Sequence, residues 1–536
     1  MSPLTRRSVV VALCALPVLA ACSAPSSTSA PSSAAAEQLG LADGYEPESL
    51  HPLLGYGTEG ASRIFDGLVA YDAARQLQPA LAAELPSPSA DARSWTVRLR
   101  DGVTFHDGSS FEAADVVATY RALLDPASAS TETTTYSMVT GVSALDPRTV
   151  RFDLAFPYAA FPHRLTLGVL PSEALAEPGP AEKSPLTTKP IGTGPYRLAE
   201  WRKGERMVFE ANDSYWGGAS QVRRITVVFA TDDNTRAQRM TSGEFDGTVL
   251  PPGLAHTFDG RAGYSVISHR SADYRTLMLP TGNPVTGDAA VRLALNHAAN
   301  RQGMIDALLM GEGEPAYTPI APALAEYAEP GATFAYDPDR ARQILQQAGW
   351  VPGPDGIRQR AGQPARFTLM YPASDTVRKD LAQALASDAR AVGLDVRLEG
   401  LGWEAIEPRM GADALVLGGG NPFDPDLASY ALLHSSFAAD GFNNPGSYVN
   451  PRVDAALDTG RRSTDPTARA QAYREFQRAY LAQPGMVFLV FLRHTYAITG
   501  SEQDYRARGY QPIIEPHSHG TGWGPWWNLE DWKVSP

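Results

Sequence analysis

The sequence predicts an α/β protein of two lobes, with mixed sheets and a hinge that the chain crosses twice. A strand at 367–371, a helix at 376–392 and a strand at 394–398 have the spacing of a βαβ unit, which contains parallel strands. Composition changes near residue 265, and a continuous apolar strand at 486–491 leads the chain back. Two crossings between α/β lobes predict a hinge, and a hinge predicts a ligand cleft.

Length and composition indicate a globular protein with more than one domain. The chain has 536 residues, which corresponds to about two to four domains of ordinary size. It is 43% hydrophobic and 20% charged, as expected for a chain that forms a core. The net charge of −13 argues against nucleic acid or an anionic membrane surface as the main partner.

The N-terminus resembles a bacterial export signal. Two basic residues, Arg6 and Arg7, precede a short apolar run at 9–21, which is too short to span a bilayer comfortably. The run ends in LAAC at 19–22, a pattern similar to a lipobox, so we expect a signal peptide at 1–22 and lipidation of Cys22. A plain secretory signal with an incidental cysteine is the alternative.

A tether of serine, alanine, proline and threonine is expected to follow the signal, at 23–37. Because the other cysteine, Cys14, lies in the segment that is removed, the mature chain is expected to have no disulfide and no thiol catalyst. We therefore predict an exported protein that a lipid on Cys22 holds at the outer face of the cell membrane.

In the first lobe, a strand at 95–99 alternates apolar and polar residues as a half-buried strand does. Ser109 and Glu112 have the form of a capping box, so a helix is expected to begin here and to end at Asp125-Pro126. Where the chain passes from the first lobe to the second, we expect two strands at 264–268 and 275–279 on either side of a polar break. The other predicted strands and helices lie at 39–43, 150–154, 224–229, 235–242, 243–249, 288–298, 301–310, 337–349, 413–417, 452–460 and 466–481.

Three motifs in the first lobe stand in a fixed order. They are WTVRLRDGVTFHDG (95–108), the turn KPIGTGPY (189–196) and NDSYWGG (212–218). The turn cannot belong to a helix or a central strand because of its two prolines and two glycines. In order and wording the three resemble the peptide/nickel-type family of extracellular solute-binding proteins, family 5, the receptors of ABC importers. The resemblance runs from about residue 40 to the C-terminus.

This resemblance implies a two-lobed fold like that of the periplasmic binding proteins, of type II with an extra subdomain. It implies lobe I at 38–268 with a subdomain at about 73–189, lobe II at 269–490, and a return to lobe I at 491–536. A helix is implied at 61–68. The implied partners are a small ligand and the membrane permease of an ABC importer, with no cofactor, and the protein is expected to be a monomer.

The resemblance also implies where a ligand binds. In peptide receptors of the family, an aspartate four residues before a proline pairs with the α-ammonium of the peptide. Here the proline resembles Pro425 and the fourth residue before it is Asn421, whose carbonyl accepts a hydrogen bond but lacks the charge. Asp424 and Asp426 are therefore alternative acceptors.

In the metal-chelate branch of the family, an arginine a few residues before another proline binds carboxylates, and Arg164 matches this position relative to Pro171. We expect further ligand contacts from the aromatic side chains and the cleft loop at 55–59. These candidates are Tyr56, Thr58, Glu59, Tyr136, Trp403 and Phe423.

The sequence lacks the common signatures of catalysis. No G-x-S-x-G, H-E-x-x-H, phosphate-binding G-x-x-x-x-G-K-[ST] or zinc-binding cysteine pair occurs. Glu515, His517 and His519 form a compact set of metal-ligand types, but an H-x-H on a loop favours a polar surface loop. The final tryptophans, Trp523 to Trp532, are interpreted as packing for the C-terminal tail.

We therefore predict a transport receptor and no enzyme. Short peptides are the first expected ligand, because they are the commonest cargo of such receptors. A nickel or other metal-chelate complex is the second, and a secreted hydrolase is the remaining alternative.

Overall fold

The computed structural model describes residues 37–518 and 520–534. The predicted signal peptide with Cys22, all of the tether except Glu37, and His519 lie outside these residues. Among the described residues the strands are β1 (Gln38–Asp43), β2 (Val69–Tyr71), β3 (Leu77–Pro79), β4 (Ser87–Pro88), β5 (Ser94–Arg98), β6 (Val139–Asp146), β7 (Thr149–Leu154), β8 (Tyr196–Arg202), β9 (Arg206–Ala211), β10 (Arg224–Phe229), β11 (Gly247–Leu250), β12 (Tyr264–Met278), β13 (Gly313–Pro315), β14 (Val351–Pro352), β15 (Arg358–Arg360), β16 (Gln363–Pro364), β17 (Arg366–Pro372), β18 (Asp395–Leu401), β19 (Ala414–Gly419) and β20 (Met486–Thr499).

The helices lie mainly in lobe II. Across the described part of the chain they are α1 (Ala113–Leu124), α2 (Asp233–Thr241), α3 (Pro252–Ala255), α4 (Ala289–Ala298), α5 (Arg301–Leu308), α6 (Pro338–Gln347), α7 (Thr376–Ala391), α8 (Trp403–Ile406), α9 (Pro425–Leu433), α10 (Pro451–Arg462), α11 (Pro466–Ala482) and α12 (Glu502–Arg508). Most begin at an aspartate or asparagine whose side chain accepts from a backbone N–H of the first turn, as Asp375 does for Arg378 in α7. No helix among the described residues is long and apolar enough to cross a membrane.

One mixed sheet runs through both lobes. Its strand order is β18-β17-β19-β12-β20-β11-β1-β10-β9-β8, with β13 also paired to β20. The pairs β17/β18 and β1/β10 are parallel, whereas β12 and β20 pair antiparallel with each other and with their other neighbours. The predicted βαβ unit is formed by β17, α7 and β18, and its parallel pairing is as predicted.

The hinge consists of the two long strands β12 and β20, which pair from Tyr264 opposite Thr499 to Met278 opposite Met486. The predicted crossing points, residues 268 and 491, fall inside these strands. The register shifts between Arg270 and Tyr274, which is a β-bulge. The prediction of two separate strands here was wrong, because the bulge lets the polar residues leave the ladder without ending the strand.

The subdomain of lobe I contains the antiparallel sheet β4-β5-β7-β6 with helix α1 beside it. The helix begins later than predicted, at Ala113. Its capping box uses Glu112 and Asp115, and Asp115 accepts from the backbone N–H of Glu112 at 2.7 Å. Ser109 instead donates its hydroxyl to Asp107 in the preceding turn, so the predicted box was shifted by one helical turn.

The three sequence motifs meet around one segment of lobe I. Asp66 accepts hydrogen bonds from Thr193 and Trp216 at 2.9 and 2.8 Å, and the backbone N–H of Gly194 donates to the carbonyl of Ile64 at 2.9 Å. A Cβ on Gly194 would lie 2.6 Å from Ile64, so only glycine permits this approach. The implied helix at 61–68 is absent, because these carbonyls bond the turn at 192–196 and not a following helical turn.

The apolar cores lie on the faces of the sheet and in the subdomain. Lobe I has a large core that includes the subdomain, and lobe II has one core on each side of its strands. In the C-terminal return, Trp526 packs edge-on against Tyr496 and Trp532 against Tyr505, both fully buried. These contacts support the interpretation of the tryptophans as packing.

Candidate functional site

The hinge bulge places charged side chains in the cleft between the lobes. Asp273 lies within the register shift between Arg270 and Tyr274 in β12, Arg275 lies just after it, and both are at least 96% buried. The end of β19 and the loop after it approach from lobe II, and a loop at 513–523 comes from the C-terminal return. The cleft is therefore bounded by both lobes and by the hinge.

Two arginines lie side by side over Gly418. A Cβ on this glycine would be 2.7 Å from a terminal nitrogen of Arg275 and of Arg378, so any larger residue would displace them. Arg275 pairs with Asp273, and Arg378 lies 3.2 Å from Asp375. The Nε atom of each is buried and has no hydrogen-bond partner among the described residues. Burial and the neighbouring charge of Arg275 lower the pKa of Arg378 to about 10. We call Arg275 and Arg378 the arginine pair.

Behind the arginine pair lies a buried polar network that joins the hinge strands to the C-terminal return. His494 bonds Glu515 at 2.7 Å and Asp273 at 3.0 Å, and His269 bonds the other oxygen of Glu515 at 2.5 Å. Burial alone would lower the pKa of His494, but the two carboxylates outweigh it and raise that pKa to about 9. Burial would raise the pKa of Glu515, but the two histidines lower it to about 2. His494 is thus a cation at neutral pH, and the network is held by charge.

The lobe I side of the cleft carries two carboxylates. Burial raises the pKa of Glu59, whose charged form is favoured by a hydrogen bond from Ser518 and by His517. Burial also raises the pKa of Glu132, with Arg164 acting in the opposite direction. His517 bonds Asp273 at 2.8 Å and would touch a Cβ on Gly418, which places this acidic side near the arginine pair.

Aromatic side chains flank the arginine pair on lobe II. Trp403, at the start of helix α8, is 38% exposed and meets Phe442 edge-on, with ring centroids 5.6 Å apart. The guanidinium of Arg378 lies 5.8 Å from the ring centroid of Trp403. Trp403 therefore lies next to the arginine pair, and its predicted contact with a ligand stays a prediction.

Comparison with known proteins identifies the family. A model described as bacterial extracellular solute-binding proteins, family 5 (middle), matches residues 76–440. The chain belongs to this family. It is 46% identical over 493 residues to Protein XP55 of Streptomyces lividans, covering 92% of this chain and 90% of that protein. It is 26% identical over 426 residues to the oligopeptide-binding protein AppA of Bacillus subtilis, covering 77% of this chain and 78% of that protein. The solved structure of NikZ from Campylobacter jejuni in complex with Ni(L-His) matches with a TM-score of 0.83 and 26% sequence identity. The match covers 92% of this chain and 99% of the NikZ chain.

The predicted resemblance is therefore confirmed, and so is the two-lobed α/β fold. Solute-binding proteins of family 5 are extracellular or periplasmic components of ABC importers, and their fold is that of binding proteins. This gives the cleft between the lobes its general role as a ligand site.

In this solute-binding protein, Asp424 and Asp426 are buried and paired with arginines. Asp424 caps helix α9 and receives two hydrogen bonds from Arg469, at 2.9 and 2.6 Å. Asp426 receives two from Arg461, at 2.8 and 3.0 Å, and a third from Tyr158 at 2.6 Å. These contacts indicate that both carboxylates stabilise the packing of α9. They argue against the prediction that either carboxylate binds the α-ammonium of a peptide.

The third candidate in this loop, Asn421, accepts from the backbone N–H of Phe423 at 2.9 Å. This bond fixes the turn that follows Gly420, whose φ of 131° lies in the region that favours glycine. Phe423 reaches the opposite lobe, where its ring stacks on Tyr71. The predicted contact of Phe423 with an apolar part of a ligand stays a prediction.

Arg164 is half-buried on the lobe I side, near Tyr158 and Asp426. Burial works to lower the pKa of its guanidinium, but Tyr158 and Asp426 outweigh it and raise that pKa. Its Nε is buried without a hydrogen-bond partner among the residues described. Tyr136 is 2% exposed and donates to the carbonyl of Arg164 at 2.8 Å, so its hydroxyl positions this segment and does not reach the cleft.

The other predicted residues divide between the cleft and its support. Tyr56 packs edge-on against Phe65 with ring centroids 6.3 Å apart, and the carbonyl of Thr58 accepts from Thr166 at 2.8 Å. Both therefore hold the loop that presents Glu59. Glu515 belongs to the buried hinge network, and the described residues contain no group of three or more metal-ligating side chains placed to bind an ion.

Sequence reasoning missed the arginine pair and Asp273. Arg378 follows the helix cap Asp375 by three residues. An aspartate and an arginine at this spacing ordinarily indicate an ion pair on the surface of a helix. Arg275 lies in a strand of apolar character, where a charged residue is rarely buried unless it is paired. An arginine next to the apolar residues of a strand predicted near the hinge is the one sequence signal for this part of the cleft, and it was not used.

Proposed function

We propose that this solute-binding protein captures short peptides in the cleft between its lobes and delivers them to the permease of an ABC importer. The observation that carries the proposal is the opposite charge on the two sides of the cleft. The arginine pair lies at the hinge and on lobe II, whereas Glu59 and Glu132 belong to lobe I, and Glu59 accepts a hydrogen bond from Ser518, the neighbour of the His517 that lies beside Gly418. A zwitterionic peptide has a carboxylate for the arginine pair and an ammonium group for the two glutamates.

The arginine pair is suited to the carboxylate of a ligand. A buried guanidinium with an unsatisfied N–H is costly, and a carboxylate that accepts from it offsets this cost. Because Gly418 has no side chain, the terminal nitrogens of both arginines can lie over its backbone, where any Cβ would contact them. Two arginines together also provide the planar, paired donors that favour carboxylates over neutral groups.

Glu59 and Glu132 are suited to an ammonium group. Burial raises the pKa of both carboxyls, which means that their charged forms lack sufficient compensation in the ligand-free protein. A ligand ammonium next to them supplies that compensation. Trp403 then packs against the apolar side chains of the peptide.

Calorimetry with blocked peptides tests this assignment. Amidating the C-terminus or acetylating the N-terminus of a tripeptide should each weaken binding by about 1.5–3 kcal/mol, the range for hydrogen bonds to charged groups. Glu59→Gln should remove most of the penalty for acetylation but none of the penalty for amidation. Equal affinity for blocked and unblocked peptides would contradict the proposal. Recovery of the peptide intact by mass spectrometry separates a receptor from a secreted hydrolase.

A metal chelate is the second candidate cargo. Two observations favour it: the similarity to NikZ in complex with Ni(L-His), and the half-buried Arg164, whose Nε is buried and lacks a partner among the described residues. If the cargo is a nickel–histidine complex, Arg164→Ala should abolish its binding and N-terminal blocking of peptides should be irrelevant. Native mass spectrometry of the protein purified from its host weighs any retained ligand and decides between the two.

We further propose that the protein acts as a monomer anchored by a lipid on Cys22. Both sides of the cleft come from one chain, so a second copy is not needed to complete the site. Cys22→Ser should release the protein from the membrane fraction into the medium. A variant that stays bound to membranes after a high-salt wash would show that the anchor lies elsewhere.

A further inference from the structure

Two rings from opposite lobes stack face to face at one end of the cleft. Tyr71, at the end of β2 in lobe I, and Phe423, in the loop after β19 in lobe II, have ring centroids 3.5 Å apart and planes inclined by 3°. The hydroxyl of Tyr71 hydrogen-bonds with Nδ1 of His163 at 2.9 Å. Trp523 flanks Phe423, with centroids 6.4 Å apart. We call Tyr71 and Phe423 the ring stack.

The same lobe II segment is fastened to lobe I by two polar contacts. Arg75 donates to the carbonyl of Pro422 at 2.8 Å, and Tyr158 donates to Asp426 at 2.6 Å. Arg75 has a φ of 67°, a conformation that a non-glycine residue adopts at a cost. The hydrogen bond to Pro422 shows that Arg75 reaches the opposite lobe from the hairpin that also carries Tyr71.

A small cavity adjoins the ring stack. The cavity lined by Tyr71, Arg75, Phe423, Trp523 and Trp527 measures about 30 Å³. Because one water needs about 10–15 Å³ of such volume, the cavity holds two or three waters at most and no peptide residue. A ligand therefore ends on the side of the stack where the arginine pair lies.

The chain itself sets an upper limit on how far Phe423 of the ring stack lies from Gly418 at the arginine pair. Gly418 touches both arginines and Phe423 belongs to the stack, so five peptide steps separate them. Five steps span at most about 18 Å even when fully extended. An extended peptide rises about 3.3 Å per residue, so a span of this length admits at most about five residues.

We propose that the ring stack closes one end of the cleft and limits the cargo to peptides of about five residues. The inference rests on the proposed function, because it takes the carboxylate of the cargo to lie at the arginine pair. In this proposal Phe423 and Tyr71 contribute to specificity by limiting the length of the cargo, and they do so by their position and not by their charge. An aromatic pair of this kind should shift the ratio of open to closed protein by about two- to twelvefold.

Two measurements on Phe423→Ala test the proposal, with Tyr336→Ala as a control because this aromatic residue of lobe II is 52% exposed. Tyr71→Ala removes the same contact from the other lobe and should reproduce every effect. The first measurement is small-angle scattering of the ligand-free proteins. Both stack variants should have a larger radius of gyration than the wild type and the control. An unchanged radius in both would overturn the closing role.

The second measurement is calorimetry with peptides of two, three, five and nine residues. The wild type should bind the first three at least about tenfold more tightly than the nonapeptide, and Phe423→Ala should abolish this difference. The same length profile in wild type and variant would overturn the limit on cargo length. If the wild type binds no peptide of any length, the proposed function fails and the length limit with it, whereas scattering still decides whether the stack closes the cleft.

Discussion

Replacing Arg378 tests whether this arginine serves ligand binding or the stability of the fold. In the ligand-free protein this arginine is buried beside Arg275, and its counter-ion Asp375 is 3.2 Å away at the edge of the site. Burial and the neighbouring arginine lower its pKa to about 10. Since folding lowers the pKa of this base, the charged side chain costs stability at neutral pH, and the cost disappears only as the pH rises above 10. A ligand carboxylate removes the same cost.

The magnitudes follow from this pKa and from the contacts of the guanidinium. A lowering of this size, which already includes the attraction to Asp375, corresponds to a cost of about 3 kcal/mol, of which the lost contact with Trp403 offsets a part. Arg378→Met therefore should stabilise the ligand-free protein by about 1–2 kcal/mol. The same change should weaken peptide binding by about 1.5–3 kcal/mol, or roughly ten- to a hundredfold.

Thermal denaturation and calorimetry on the same sample measure the two effects. For a lobe of this size, each kcal/mol should raise the melting temperature by about 2–4 °C. Arg390→Met is the matched control, because this arginine lies on the same helix and is 56% exposed. A variant that melts lower than the wild type, or that binds peptide equally well, would refute the assignment of Arg378 to the ligand carboxylate.

Two further predictions concern the buried ion pairs. Asp424→Asn leaves Arg469 buried without its carboxylate, so thermal denaturation should show a loss of about 3–5 kcal/mol, whereas the exposed Asp213→Asn should show none; equal melting of the two would contradict this. Because the pKa of His494 is raised to about 9, its contribution of up to about 3 kcal/mol is complete below pH 6.5 and is lost as the pH rises through 9. Denaturant unfolding at pH 6, 8 and 10 should show this fall in the wild type and not in His494→Gln, and parallel profiles would refute it.

The sequence alone determined the fold class and most of the elements, because these depend on local patterns. The βαβ unit follows from the lengths and periodicity at 366–401, and the structure pairs β17 and β18 as expected. The three motifs identified the family. They did so through residues such as Gly194 and Trp216, which hold lobe I together around Asp66 and do not contact the cleft.

The tertiary structure decided which charged residues belong to the site. Asp424 and Asp426 looked available in the sequence, but Arg469 and Arg461, which are 45 and 35 residues away, occupy them. Arg275 and Arg378 lie about a hundred residues apart and become neighbours only when β19 places Gly418 between them. Side-chain pairing across a sheet depends on strand order and on the β-bulge in β12, and neither leaves a periodic signal in the sequence.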